Sequence, residues 1–528
     1  MRVILLILDG WGYSPEQRGN AILQANLPTL RDIESHYPFF LLKASGMGVG
    51  LPWAESGNSE VGHLNIGSGR VVLQSMPRII KSIQDGSFFR NEVLLGAVEH
   101  TKKHNSQLHL MGLLGSGSVH SYIDHLYALL DLAQEAGLSS RVKLHIFTDG
   151  KDSPPREGAQ MISHLLMRLE AKKQGEIASI VGREYAMDRD YNWDKTKKTF
   201  DLLVNGTGKN ISDGVKALQA AYENGLTDTE IPPMVWVRDD DAKPRGVIST
   251  NDSVIFFNYR EDSARQLTKA FILPGKVEFT PSIPENLFFV TMTEYSKDIP
   301  SHAAFKPLPI EHTLSEVLAD QKKTQLHIAE TQKYAHVTYF FNGLKEQKHE
   351  GEEWRLISSL DTSDYTKKPE LKVPEISQII SQAIEENVYE FILGNFANAD
   401  LLGHTGNMQA TIQGCQSIDS AIKEILGALS RSNDPHWLFI IGSDHGNAEA
   451  MIDPVSGGIL TEHTSNDVIY YFISPPLRKD FPPLEIMSRK RAAYGILADV
   501  APTILAFFQA PQPGEMTGRS LFSERGIT

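Results

Sequence analysis

Three acidic residues, far apart in the chain, each come just after an apolar run. Asp9 directly follows VILLIL, Asp400 follows YEFILGNFAN, and Asp444 and His445 follow WLFIIGS. Open α/β sheets build their sites just beyond the C-terminal ends of parallel strands. Three distant segments therefore each deliver a carboxylate to the kind of place where sites form. His404 lies four residues after Asp400, close enough to share an ion in a turn, and His463 in the string TEHT can complete that set. Carboxylate and imidazole together suit manganese, zinc or iron better than calcium. The candidate ligands fall into two groups, which points to a two-metal site. Each residue alone has a plainer explanation. An acid after a strand often caps the next helix, a lone histidine is usually surface or core, and DHGN is turn-forming. The shared placement is what carries the chemical reading.

A nucleophile and a set of cations accompany these ligands. Ser59 sits in SGNSEVGHLNIG, a stretch dense in glycine and small polar residues. Glycine lets backbone approach a phosphate or metal closely. A serine hydroxyl is a weak nucleophile at neutral pH, and a metal ion can activate it. In the central part of the chain, Arg183 and Arg189 follow one apolar run, and Arg260 and Arg265 follow another. Lys151-Asp152 follows a third, HIFTDG. Guanidinium groups bind phosphate and carboxylate through paired hydrogen bonds.

The elements that must position these residues read as α/β. Strands are expected at 3–8, 142–147, 254–258, 287–292, 390–395 and 437–441, and helices at 121–135, 157–173, 263–271, 375–386, 410–429 and 496–508. Their alternation implies largely parallel sheets. At 528 residues the chain is too long for one ordinary core. Pro-containing stretches at 76–77 and 301–309 read as linkers bracketing an inserted domain. This gives residues 1–75 plus 310–528 as one domain and 76–309 as the other. Apolar residues make up 41% and charged residues 22%, as in a globular protein. The formal net charge of -14 argues against nucleic-acid and membrane-surface partners, which attract basic proteins. The apolar start is followed by DGWG, not by a cleavage site, and reads as a buried strand. The single cysteine, Cys415, allows no intrachain disulfide. A cytoplasmic location is expected.

Taken together, LDGWG, GNSEVGHLNIGSGR, VHSYIDHL, FTDGKDSPP, GREYAMDRD, AETQKYAHVTYFFNG, NFANADLLGHTGN, SDHGNAE, TEHTSN and PQPGEMTG are strings of a recognisable set. Their order from end to end resembles the cofactor-independent phosphoglycerate mutases of the alkaline-phosphatase superfamily. The resemblance implies an alkaline-phosphatase-like metal-binding domain split by an inserted α/β phosphotransferase domain, and a monomer. It implies that Asp400, His404 and His463 hold one divalent ion, and that Asp9, Ser59, Asp444 and His445 hold another, with manganese the expected metal. It makes Ser59 the residue that becomes phosphoserine, and Lys333 and Asp152 its catalytic partners. His120, Lys151, Asp152, Arg183, Arg189, Arg260 and Lys333 match substrate-binding positions. The implied reaction interconverts 2-phosphoglycerate and 3-phosphoglycerate. The chain departs from the usual pattern at Lys151 and Ser263, where arginines are common, at Gln332, and along 358–368. These departures keep a phosphohydrolase, or a mutase of another phosphorylated small molecule, as the alternative.

Overall fold

The computed structural model describes residues 1–522 apart from 239, 241, 363 and 433. Position 363, within the divergent stretch 358–368, thus lies outside the described residues. The chain divides into two compact units, Met1–Gln74 with Pro309–Thr528, and Ser75–Leu308.

In the first unit, the apolar run after the initiating methionine forms the strand Arg2–Leu8. Val3, Leu5 and Ile7 enter one core cluster, while Ile4, Leu6 and Leu8 enter another. A strand covered on both faces needs apolar residues at every position, which explains the unbroken run. Across the sheet the order is Glu352–Ile357, Gln325–Glu330, Phe391–Phe396, Arg2–Leu8, Trp437–Gly442, Val468–Ile473, Phe39–Lys43, Gly495–Ile496. The first five are mutually parallel. Val468–Ile473 is antiparallel to both its neighbours. Helices Val373–Glu386 and Met408–Ser432 cover one face through Ile376, Ile380, Ile418 and Ile422. Helix Val500–Phe508 covers the other through Val500, Ile504 and Leu505.

The second unit has its own sheet, ordered His302–Phe305, Phe288–Thr293, Ser253–Phe256, Leu108–Leu114, Val142–Thr148, Glu176–Gly182, Met234–Trp236, Lys209–Ile211. Only the pairing of Met234–Trp236 with Glu176–Gly182 is antiparallel among the described strand pairs. The α/β reading of the sequence therefore holds, with the expected strands and helices present near their expected bounds, except that the helix expected from 496 begins at Val500, after the short strand Gly495–Ile496 and a 3-10 turn Leu497–Asp499.

Three further local expectations need correction. Met76-Pro77 is not linker but lies in the first turn of helix Ser75–Gln84, with both residues buried. Proline suits a first turn because its missing N–H has no partner there anyway. The stretch 301–309 is not wholly linker either, since His302–Phe305 pairs along Phe288–Thr293. The helix expected from 263 begins at Arg265, because the Asp262 carboxylate takes the Ser263 N–H and holds that turn outside the helix.

Candidate functional site

Four neighbouring parallel strands of the first sheet deliver functional side chains from their C-terminal ends. Gln325–Glu330 leads to Lys333, Phe391–Phe396 to Asp400, Arg2–Leu8 to Asp9, and Trp437–Gly442 to Asp444 and His445. The register pairs Leu8 with Phe396 and Ile7 with Gly442, so these chains leave the sheet at one level. Ser59 arrives from elsewhere, as the first residue of helix Ser59–Ser68. The Asn58 side chain caps that helix by accepting the Val61 N–H at 2.9 Å. The hydroxyl thus stands at the positive end of a helix, where added negative charge is favoured.

The Ser59 Oγ lies 3.0 Å from Asp9 Oδ1, 2.9 Å from His445 Nε2 and 2.8 Å from Lys333 Nζ. Lys333 Nζ also donates to Asp9 Oδ1 and Asp400 Oδ2, both at 2.6 Å. Ser59, Asp9, Asp400, Asp444, His445 and Lys333 are all buried. Burial works against ionised Asp9 and Asp400, but Lys333 beside them, with the imidazoles, holds both well below the usual carboxylate range. Lys333 is in turn kept charged, against its burial, by Asp9 and Asp400. Burial likewise opposes a charged His445, yet Asp444, Asp9 and Asp400 push it up to about 10.

The imidazoles are aimed by backbone carbonyls. His404 Nδ1 bonds Thr461 O at 2.6 Å, His463 Nδ1 bonds Gly57 O at 2.9 Å, and His445 Nδ1 bonds Gly446 O at 3.2 Å. A carbonyl only accepts, so Nδ1 carries a proton and Nε2 is the nitrogen aimed inward, able to bind a metal ion once its own proton is displaced. His404 Nε2 and His463 Nε2 stand 3.0 Å apart, at 3.2 and 3.1 Å from Asp400 Oδ1. Two imidazole nitrogens and a carboxylate oxygen converging this closely need a proton or a metal ion among them. Asp444 Oδ2, fully buried, accepts no hydrogen bond and faces His63 Nδ1 at 3.1 Å and His445 Nε2 at 3.7 Å. The donor set of carboxylates and imidazoles fits a divalent transition-metal ion. Among the described residues, three sets of side chains each bring their ligand atoms within 4.8 Å of one another: Asp400, His404 and His463; Asp9, Asp400 and His445; and Asp9, His63 and Asp444.

All seven residues expected as metal ligands, together with Lys333, are therefore brought to one place. His63, Asn395 and Asn447 join them without having been singled out from the sequence. Asn395 Nδ2 donates to Asp9 Oδ2 at 2.8 Å and lies 3.1 Å from His63 Nε2, and Asn447 Nδ2 donates to Asp400 Oδ1 at 3.0 Å. The signal for His63 was on view in GNSEVGHLNIG. It is the residue one helical turn beyond Ser59, and its Nδ1 bonds the Ser59 carbonyl at 2.9 Å.

The second unit gathers the other candidates. Arg183 Nη1 bonds Asp149 Oδ1 and Asp152 Oδ2, each at 2.5 Å. His120 lies 3.7 Å from Asp152 Oδ2 and 3.6 Å from Asp262 Oδ1. Asp262 Oδ2 also pairs with Arg189 at 2.7 Å and Arg260 at 3.2 Å. Asp262 and Asp149, unassigned from sequence, are thus the anchors of this cationic cluster. Asp149 Oδ1 further accepts the backbone N–H groups of Lys151 and Asp152, which shapes the turn after the strand Val142–Thr148. The Lys151 side chain is exposed. Burial, and then the charge of Arg183, lower His120 to about 4, so its imidazole is neutral at neutral pH. Arg265 is not brought into this cluster. Its Nε donates to Tyr295 O at 2.6 Å and its guanidinium pairs with Glu261, so it does not stand in for the arginine usual at position 263.

A buried hydroxyl on a helix end, ringed by carboxylates and imidazoles that could hold metal ions and by one lysine, is an arrangement suited to metal-assisted group transfer. Residues 79–297, inside the second unit, match the family described as "BPG-independent PGAM N-terminus". The chain is 44% identical to 2,3-bisphosphoglycerate-independent phosphoglycerate mutase of Moorella thermoacetica, covering 98% of both chains. It is 42% identical to the protein of that name from Clostridioides difficile, covering 99% of both. Among solved structures, phosphoglycerate mutase of Leishmania mexicana, crystallised at low cobalt concentration, aligns with a TM-score of 0.59 and 26% identity over 98% of this chain and 97% of that one. The chain belongs to the 2,3-bisphosphoglycerate-independent phosphoglycerate mutases.

Proposed function

We infer that the chain interconverts 2-phosphoglycerate and 3-phosphoglycerate, in glycolysis and gluconeogenesis, by passing the phosphoryl group through Ser59. The observation that carries this is the placement of Ser59 Oγ, within 3.0 Å of Asp9, His445 and Lys333 at the start of a helix. Two divalent ions, with manganese the metal that the family resemblance implies, fit this centre. Asp400, His404 and His463 would hold one, and Asp9, Ser59, Asp444 and His445 the other. When bound, such ions lower the pKa of a hydroxyl and offset charge on the transferring oxygens.

In this reading Ser59 Oγ, its proton lost to solvent before substrate binds, attacks phosphorus as the bond from phosphorus to the glycerate oxygen breaks. Lys333 donates to the phosphoryl oxygens, and the helix end favours the resulting phosphoserine. Asp152 protonates the departing glycerate oxygen, then takes the proton from the other hydroxyl before the phosphoryl group returns. His120, Lys151, Arg183, Arg189 and Arg260 hold the anionic glycerate. The first unit is accordingly the metal-binding, phosphatase-like domain and the second the substrate-binding phosphotransferase domain. Among the described residues no helix is long and apolar enough to cross a membrane. A cytoplasmic monomer that binds no nucleic acid completes the reading.

The test is an assay from 3-phosphoglycerate with manganese and no added bisphosphoglycerate. Formation of 2-phosphoglycerate is expected. Release of inorganic phosphate without 2-phosphoglycerate would replace the mutase with a hydrolase, the reading that Lys151 and Ser263 leave open.

A further inference from the structure

Glu449 is buried five residues beyond Asp444, at 1% exposure. Its carboxylate accepts four hydrogen bonds, two on each oxygen. Oε2 takes the Gly12 N–H at 3.1 Å and the Asn447 N–H at 2.9 Å. Oε1 takes the Thr464 hydroxyl and the Asn466 side-chain amide, the latter at 2.9 Å. No lysine, arginine or histidine among the described residues forms an ion pair with it. A buried carboxylate satisfied only by neutral donors costs desolvation that no protein cation offsets. Divalent ions on the neighbouring ligands would offset it.

The donors come from three separate segments, and each segment carries a candidate metal ligand close by. Gly12 follows Asp9 by three residues, Asn447 follows His445 by two, and Thr464 follows His463 directly. The backbone is shaped to admit the carboxylate. A Cβ on Gly12 would meet the Glu449 carboxyl carbon at 2.3 Å, and one on Gly446 would meet Glu449 Oε1 at 2.4 Å and the Thr464 hydroxyl at 2.3 Å. Both positions must therefore be glycine for the three segments to close around this side chain. Ala448 N bonds Gly10 O at 3.1 Å and Thr464 N bonds Gly446 O at 3.0 Å, so the same three segments are also tied by backbone bonds.

We propose that Glu449 is a positioning residue, whose carboxylate fixes the spacing of Asp9, His445 and His463 and so sets the affinity of the metal centre. This rests on the assignment of those residues as metal ligands. Outer partners that orient ligands in this way typically change metal affinity by about tenfold to a hundredfold when lost. Glu449→Gln keeps the volume but turns an acceptor into a donor facing other donors. Thr464→Val removes the hydroxyl, with its bond to the carboxylate and the one it accepts from the Asn466 N–H, and leaves the carboxylate in place.

The experiment is calorimetric titration of metal-free wild type, Glu449→Gln and Thr464→Val with manganese, alongside the melting temperature of each metal-free protein. Weakening of manganese binding by about tenfold or more in Glu449→Gln, and by a smaller factor in Thr464→Val, is expected. The metal-free melting temperatures should change far less than the affinities. Wild-type affinity in a folded Glu449→Gln protein overturns the proposal. If that variant does not fold, Thr464→Val decides, and an unchanged affinity there overturns it. Wild-type protein that binds no manganese overturns the ligand assignment itself, and the proposal with it.

Discussion

The two clusters of charged side chains are built on opposite plans. In the first unit, Ser59, Asp9, Asp444, His445 and Lys333 are at most 5% exposed, and three carboxylates face a single lysine. In the second, three arginines meet three aspartates, and Arg189 and Arg260 have side chains 52% and 46% exposed. The difference follows from the chemistry each must support. A centre that transfers a phosphoryl group needs fixed charges in a dry place, and an excess of buried acid is tolerable only where metal ions balance it. A cluster that takes up an anionic substrate from water needs cations within solvent reach, tethered by acids that keep them aimed.

The sharpest way to break this comparison is to remove one atom from the buried centre. Ser59→Ala should lower kcat by about four orders of magnitude or more, with metal content and fold retained. Lys333→Met comes next, with a fall in kcat of about a hundredfold to a thousandfold, since one buried donor to the transferring group is lost. Both are read from initial rates at saturating 3-phosphoglycerate. In the exposed cluster the effect should shift from kcat to KM. Asp262→Asn releases Arg189, Arg260 and His120 from their shared anchor, and KM should rise about tenfold with kcat nearly unchanged. A kcat loss as large as that of Lys333→Met would erase the distinction between the clusters.

A fourth prediction concerns stability. His125 is buried with neither ring nitrogen hydrogen-bonded, and burial lowers it from 6.5 to about 3. Its folded pKa is depressed, so protons bind the unfolded state first. The stability is present above pH 6.5 and is lost as pH falls toward 3, at up to about 1.4 kcal/mol per pH unit. His125→Phe should flatten that slope in urea melts between pH 7 and 5. The smallest effect belongs to Arg265→Ala. Its partners are Tyr295 O and Glu261, so KM should stay within about twofold of wild type. A larger rise would put Arg265 in the substrate cluster after all.

The parts of this molecule legible in its sequence are those where one physical demand acts on contiguous residues. VILLIL reads as a strand because both of its faces are buried, and the acids that follow such runs are visible as punctuation. Lys333 was less visible. Its strand, QLHIAE, mixes polar and apolar residues although all six are buried, because Gln325, His327 and Glu330 find partners inside the protein. Only the resemblance pointed to it. Asp149, Asp262, Asn395 and Glu449 act through bonds to segments tens to hundreds of residues away, and no local pattern encodes such a bond. Arg265 shows the converse, a residue of the right type two positions from the expected one, directed elsewhere by the turn that Asp262 holds open.

The central claim is that the phosphoryl group rests on Ser59 during turnover. Its most direct test is rapid acid quench of the manganese-loaded enzyme mixed with 3-phosphoglycerate, followed by mass spectrometry of the peptide bearing SGNSEVGH. A phosphoryl adduct on Ser59, formed at least as fast as 2-phosphoglycerate appears and absent without substrate, is the predicted result. Turnover at full rate with no adduct at any quench time, or an adduct on another residue, would contradict it.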